Sequence, residues 1–337
     1  MEGAGGIPCD ACRHSVNMII SPGTPHAVCT MSDGQVVYEA FKADLPTPIN
    51  IRKFSTIKFD LPQGEMQWNA VAPIVVDSAR AHAAVHLASQ EWQGVNALDG
   101  AHPGETLIVC GSGRSILKNV HEIERRPGVK VLAINGALKA LPSDTVDYYF
   151  TLDWKGDQSW WSGVDWETKH PGIKAVLGLP TPPELVPLFS RRYYFPANYI
   201  IAEPQKSKEF AEEHGFLAES MLATHSVCHL AYRMGIKKVI LLGHDFCITD
   251  FYYNWERRAK NSDAGNNQWI LTEDIKGNLT GTTNQMLGNA MVVSATARAM
   301  ADDGIDVINA SQEGLLGLAL SMPLDQALAY QPVPEFP

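Results

Sequence analysis

The sequence predicts an α/β fold: a Rossmann-like parallel sheet with flanking helices, preceded by a small N-terminal Cys/His module. Three observations carry this. From Thr106 onward, apolar runs of four to six residues alternate with helical patterns, which is how strands buried on both faces and their crossover helices read. Most of these runs finish in Gly, Asn, Asp or His, placing polar chemistry at one sheet edge, where open α/β sheets bind ligands. The first 35 residues follow another logic, with Cys9, Cys12, His14, His26 and Cys29 set around the turn-forming Ser21-Pro22-Gly23-Thr24-Pro25.

Taken in order, residues 1–35 form the N-terminal module. Cys9-x2-Cys12 and His26-x2-Cys29 give two chelating pairs, as a tetrahedral structural zinc requires, with His14 as an alternative to His26 and free thiols as the rival reading. Four protein ligands would close the site, so no catalysis is assigned to it. Residues 36–105 connect the module to the main domain. Short alternating stretches such as Gln35–Tyr38 and Thr56–Phe59, broken by Pro46, Pro48 and Pro62, predict isolated strands or extended arms. Apolar returns at 79, 83, 84 and 87 in an Ala-rich stretch predict a helix over 76–94.

The main domain spans 106–330. Leu107–Cys110 reads as a strand, Gly111-Ser112-Gly113-Arg114-Ser115 as a turn, and Ser115–Glu124 as a helix. Strands follow at 129–134, 147–152, 174–179 and 192–195. A helix over 221–234 feeds a strand at 238–242, and a helix over 285–301 feeds a last strand at 306–309.

Composition narrows the function. Against 37 acidic residues stand 27 Lys and Arg, a net charge of −10, which excludes general coating of nucleic acid. No apolar run approaches the ~20 residues of a membrane span. The start has no basic region followed by an apolar one, so no secretory signal is expected. Cys110, Cys228 and Cys247 sit inside apolar segments, which suits reduced thiols and a cytoplasmic protein, a virion-associated one or one made in a phage-infected cell being the alternatives.

Candidate chemistry gathers at the strand ends. Gly111, Ser112, Gly113 and Ser115 lie between a strand and a helix, where backbone N–H groups can meet a phosphate; a tight turn capped by Ser115 is the plainer alternative. Asn135 and Asp153 each follow a strand and could hold ribose or sugar hydroxyls, with Asp153 also able to take a metal-bound diphosphate. His225-Ser226 opens a helix, where an anion is favoured. His244-Asp245 closes the next strand, and a strand-end histidine can act as general acid or base. Trp154, Trp160, Trp161 and Trp166 could stack a base or close a core.

The order of these segments resembles a known family. Leu107–Ser115, Ala133–Ala137, Asp147–Asp153, Gly235–Asp245, Asp274–Asn278 with Thr282-Thr283, and Val307–Leu315 are similar to the family uniting motility accessory factor flagellin glycosyltransferases with archaeal 6-hydroxymethylpterin diphosphokinases. The likeness covers roughly 106–330, and a similar glycine loop and strand-end G-x-D occur in bacterial sialyltransferases. Arg114 departs from the Pro usual in that loop, and His244 stands where the glycosyltransferase branch often has another polar residue. The cysteine module is outside the likeness. The resemblance implies a nucleotide-dependent transferase with a nucleotide-type donor and a small-molecule or protein acceptor, most simply a glycosyltransferase using a nucleotide-activated sugar. In it the glycine loop, His225, Ser226 and Thr283 bind the donor, while His244 and Asp245 sit at the chemistry. The alternatives are a Mg²⁺-dependent diphosphokinase acting on a pterin-like alcohol, with the metal near Asp153 or Asp245, and a non-catalytic viral or structural scaffold. A homo-oligomer fits any of the three.

Overall fold

The computed structural model describes residues 31–32, 35–36, 66–89, 92–154, 158–197, 203–218, 222–247 and 269–331. Cys9, Cys12, His26, Cys29 and the stretch Thr56–Phe59 lie outside the described residues. β1 (Met31–Ser32) and β2 (Gln35–Val36) pair antiparallel. Helix α1 (Met66–Ala88) leads to β3 (Trp92–Gly94), β4 (Thr106–Cys110) and the one-turn helix α2 (Ile116–Asn119). β5 (Val129–Ile134), α3 (Ala137–Ala140), β6 (Tyr148–Thr151), α4 (Trp166–Lys169), β7 (Lys174–Gly178) and β8 (Arg191–Phe195) follow. Helices α5 (Pro204–His214) and α6 (Ala223–Arg233) precede β9 (Lys238–Leu242). The chain ends with β10 (Trp269–Glu273), β11 (Leu279–Thr283), α7 (Asn284–Asp302), β12 (Asp306–Asn309), β13 (Leu320–Ser321) and α8 (Leu324–Ala329).

Nine strands form one sheet in the order β13-β12-β9-β4-β5-β6-β7-β8-β3, and every neighbouring pair is parallel. Side chains alternate across it as a pleat requires. Ile108, Cys110, Val131, Ala133, Ile240 and Leu242 join one core, with α1, α2, α3 and α8 above them. Leu107, Val109, Leu132, Ile134, Val239 and Leu241 join the other, under α6 and α7. Burial on both faces explains why these strands carry unbroken apolar runs.

From β4 the chain steps outward through β5, β6, β7 and β8, then returns to place β9 on the opposite side of β4. The sheet order therefore reverses between β4 and β9, and a crevice opens outside their carboxyl ends.

Several element boundaries differ from the sequence reading. The helix expected over 76–94 runs over 66–88, and Trp92–Gly94 is instead the edge strand beside β8. The helix expected over Ser115–Glu124 is a single α turn followed by a 3₁₀ turn at Val120–Glu122. β10 and β11 form a separate antiparallel hairpin. Among the described residues, no helix is long and apolar enough to cross a membrane.

Candidate functional site

The floor of the crevice is built by two loops in backbone contact. Gly111 N–H donates to Leu242 O at 2.7 Å and Gly113 N–H to Gly243 O at 2.8 Å. A Cβ on Gly111 would lie 2.5 Å from Gly243 O, and one on Gly113 would lie 2.6 Å from Gly243 O and 2.7 Å from Asp245 Oδ2. Gly243, at φ +68°, faces Gly111 O equally closely, at 2.4 Å from its own would-be Cβ. The glycines are therefore required by the contact between the β4 and β9 loops. The Gly111 and Gly113 N–H groups, expected from the sequence to face a phosphate, have carbonyl partners here.

Ser115 and Asp245 complete this floor. Ser115 N–H donates to Asp245 Oδ2 at 2.9 Å, and Ser115 Oγ donates to Asp245 Oδ1. A protein carboxylate thus occupies the anion position at the start of α2. Burial raises the Asp245 pKa, and the two bonds from Ser115 oppose that rise. Ser112, between the two glycines, lines the crevice.

The walls come from five stretches of chain around a cavity of about 430 Å³, within the range of small-molecule sites. Asn135 follows β5 at φ +50°, its N–H held by Phe150 O at 3.0 Å. Asp153 and Trp154 follow β6, and His244, Phe246 and Cys247 follow β9. Ala223 and Thr224 open α6, while Met286 and Asn289 come from α7. Trp160, Trp161 and Trp166 are core residues instead.

His244 is 4% exposed, and its Nδ1 lies 2.9 Å from Leu242 O. A carbonyl accepts only, so Nδ1 carries the proton and Nε2 carries a lone pair. That buried Nε2 has no partner among the described residues. Burial pushes the ring pKa down to about 4, so the neutral imidazole persists at neutral pH. The loop that presents it is pinned from several sides. His244 N–H donates to Ser311 Oγ at 3.1 Å, Leu315 N–H to Asp245 O at 2.8 Å, and Thr282 Oγ1 to Phe246 O at 2.8 Å.

Two more residues lining the crevice share this condition: Asn135 Oδ1 and Asn289 Oδ1 are buried and without a partner among the described residues. At α6 the N-cap is Leu222, which offers no side-chain cap, and the first internal bonds come from His225 and Ser226 N–H to Leu222 O. The N–H groups of Ala223 and Thr224 therefore stand at the positive end of an 11-residue helix that meets the crevice.

The structure brings Gly111, Ser112, Gly113, Asn135, Asp153, His244 and Asp245 together around the crevice, with Ser115 beneath Asp245. It does not bring His225 or Ser226 there. Ser226 Oγ donates to Ala218 O at 2.8 Å, and His225 is buried, its pKa lowered to about 4 by that burial. Thr224, one residue earlier, holds the position expected of them. Thr283 ends β11, and its side chain lies outside the described residues. The sequence reading missed Thr224 and Asn289. Asn289 was detectable only as an amide in an otherwise largely Ala, Met and Val stretch of α7.

Magnesium would find few ligands here. Both Asp245 oxygens accept from Ser115, so among the described residues a metal would rest on Asp153 and on the ligand's own phosphates. No group of three or more His, Cys, Asp or Glu suited to a metal occurs among the described residues.

The model of the family described as 6-hydroxymethylpterin diphosphokinase MptE-like matches residues 82–251. The fold is similar to that of the Maf glycosyltransferase from Magnetospirillum magneticum AMB-1, with a TM-score of 0.52 and 15% identity over 78% of this chain and 41% of that one. The chain thus spans about two fifths of that protein's length. The sialyltransferase CstII from Campylobacter jejuni, solved with the substrate analogue cytidine-5'-monophosphate, gives a TM-score of 0.28 and 14% identity over 47% of this chain and 69% of that one, too distant to inform the site. No curated protein matches the sequence significantly.

Proposed function

The chain belongs to the 6-hydroxymethylpterin diphosphokinase MptE-like family, and from that premise we propose that it is a nucleotide-dependent transferase, a glycosyltransferase using a nucleotide-activated sugar. One observation carries the reading: buried His244, whose unprotonated Nε2 has no partner among the described residues, lines the same crevice as the N-terminus of α6, which the Leu222 side chain does not cap. The first is a proton acceptor and the second an anion site.

In this reading the donor's phosphate rests on the N–H groups of Ala223 and Thr224, with Ser112 close by. Asn135 and Asp153 hold sugar hydroxyls. The acceptor hydroxyl attacks the donor's anomeric carbon, forming the new C–O bond as the bond from that carbon to the phosphate oxygen breaks. The hydroxyl proton passes to His244 Nε2, and the nucleotide leaves with the bonding pair, its charge met by the α6 dipole. A pKa near 4 supports the base role over the acid role, since imidazolium is scarce at neutral pH. Bound phosphate would raise that pKa and strengthen the base. Asp245 acts through Ser115 as a positioning residue.

Thermal-shift measurements with CMP, UDP, GDP and ATP, each with and without Mg²⁺, test the reading. Stabilisation by a nucleoside mono- or diphosphate without Mg²⁺ is expected. Stabilisation by Mg²⁺-ATP alone would overturn it in favour of diphosphoryl transfer. In a folded His244→Ala protein, transfer should fall by about 10²–10⁴ while nucleotide binding persists.

A further inference from the structure

We infer that Asn289 is a ligand-binding residue of the crevice, accepting a hydrogen bond from a sugar hydroxyl of the bound nucleotide. The inference rests on the nucleotide reading above and names a contact that reading does not supply.

Two hydroxyls of helix α7 are satisfied within the helix. Ser294 Oγ donates to Ala290 O at 2.9 Å and Thr296 Oγ1 to Val292 O at 2.8 Å. Ala290, Val293, Ala297 and Met300 are buried on the same helix. Asn289 differs from these two hydroxyls. The residue lines the crevice together with Met286, one turn earlier, and its Oδ1 is buried with no partner among the described residues. A buried amide oxygen left without a donor weakens the folded state. An apolar residue would remove that cost, so the amide makes sense where a ligand brings the donor.

The chemistry of the donor follows from position. Phosphate at neutral pH offers acceptors, so it cannot serve Asn289 Oδ1. α7 packs against α6, whose N-terminus receives the phosphate in the proposed function. The group one covalent link from that phosphate is the sugar, and its hydroxyls are donors. A ribose hydroxyl therefore answers Asn289 more directly than a base edge does.

The test compares the full chain with its Asn289→Leu variant by calorimetric titration. CMP, UDP, GDP and ADP are each measured beside their 2′-deoxy and 3′-deoxy forms. The wild type should bind at least one ribonucleotide about tenfold more tightly than one of its deoxy forms. In Asn289→Leu that preference should vanish. The same variant should melt at or above the wild-type temperature, because the unpaired amide is gone; a purely structural asparagine would give the reverse. Asn289→Ala serves if the leucine variant does not fold. Nucleotide binding that is indifferent to the deoxy change, or unchanged in the variant, overturns this inference and leaves the nucleotide reading standing. Failure of the wild type to bind any of the nucleotides overturns both.

Discussion

Ser115 and Asp245, 130 positions apart in sequence, are joined twice: the Ser115 N–H and its hydroxyl both donate to the Asp245 carboxylate. This ties the loop after β4 to the loop after β9 at the place where the sheet order reverses. The crevice floor is therefore a single unit, and the anchoring of His244 depends on it.

Ser115→Ala should destabilise the protein by about 1–3 kcal/mol, since it leaves a buried carboxylate short of a donor. Asp245→Asn should cost less, because it also removes the desolvation penalty of the buried charge that raises the Asp245 pKa. Urea unfolding of both variants checks the order. A larger loss for Asp245→Asn would mean that the charge itself holds the loops.

Gly113→Ala should lower stability by about 1–3 kcal/mol, the range for forcing an extra carbon into packed structure. The new Cβ would lie 2.6 Å from Gly243 O. Thermal melting of the empty protein reads this directly. An unaltered melting temperature with abolished nucleotide binding would instead assign this glycine a phosphate role.

The contrast at Gly113 shows how much the sequence discloses. It marks a close approach, which only a glycine permits, but not what approaches. The strands at 129–134, 238–242 and 306–309 were legible to the residue because parallel strands are buried on both faces and write themselves as apolar runs. β3 was not, since Trp92-Gln93-Gly94 is too short to show a period and follows a helical pattern. At α6 the sequence located the helix but not its rotation. Residues from Thr224 to Ala231 are all buried, so no polar face reveals that Thr224 meets the crevice while His225 and Ser226 do not. Asn289 was illegible for a related reason: an isolated amide announces a site only once its neighbours in space are known.

Ala223→Asp should have opposite effects on stability and binding. A carboxylate in the first turn of α6 favours the helix dipole by about 0.3–1 kcal/mol. The same charge repels an incoming phosphate. Melting temperature and nucleotide titration on one sample separate the two effects, and tighter nucleotide binding by the variant would place the phosphate elsewhere.

Acid should unfold the protein early. Burial holds the pKa values of His86, His170, His225 and His244 at about 4 and that of His229 at about 3. Unfolding returns each to its ordinary value of about 6.5, so the unfolded chain binds more protons between those limits. Their contribution is complete above pH ~6.5 and is lost as pH falls toward 4. Asp245 and Asp306, with raised pKa values, act in the opposite sense and offset part of the loss. Unfolding free energy should fall by more than the ~1.4 kcal/mol per pH unit of a single proton. Urea titrations between pH 7 and 5 that show no such slope would contradict the buried neutral histidines.

The most direct measurement of the central claim is the alkylation rate of Cys247, read by peptide mass spectrometry with and without CMP, UDP, GDP or ATP. Cys247 lines the crevice beside His244 and is partly accessible, whereas Cys110 and Cys228 are fully buried and serve as internal references. Burial raises the Cys247 pKa to about 11, so the reaction is run above neutral pH to supply thiolate. The account predicts that a nucleotide which raises the melting temperature also slows Cys247 modification in proportion to site occupancy, and that Ala223→Asp weakens this protection. A nucleotide that stabilises the protein while Cys247 reacts at its original rate would show that the nucleotide binds outside the crevice between β4 and β9.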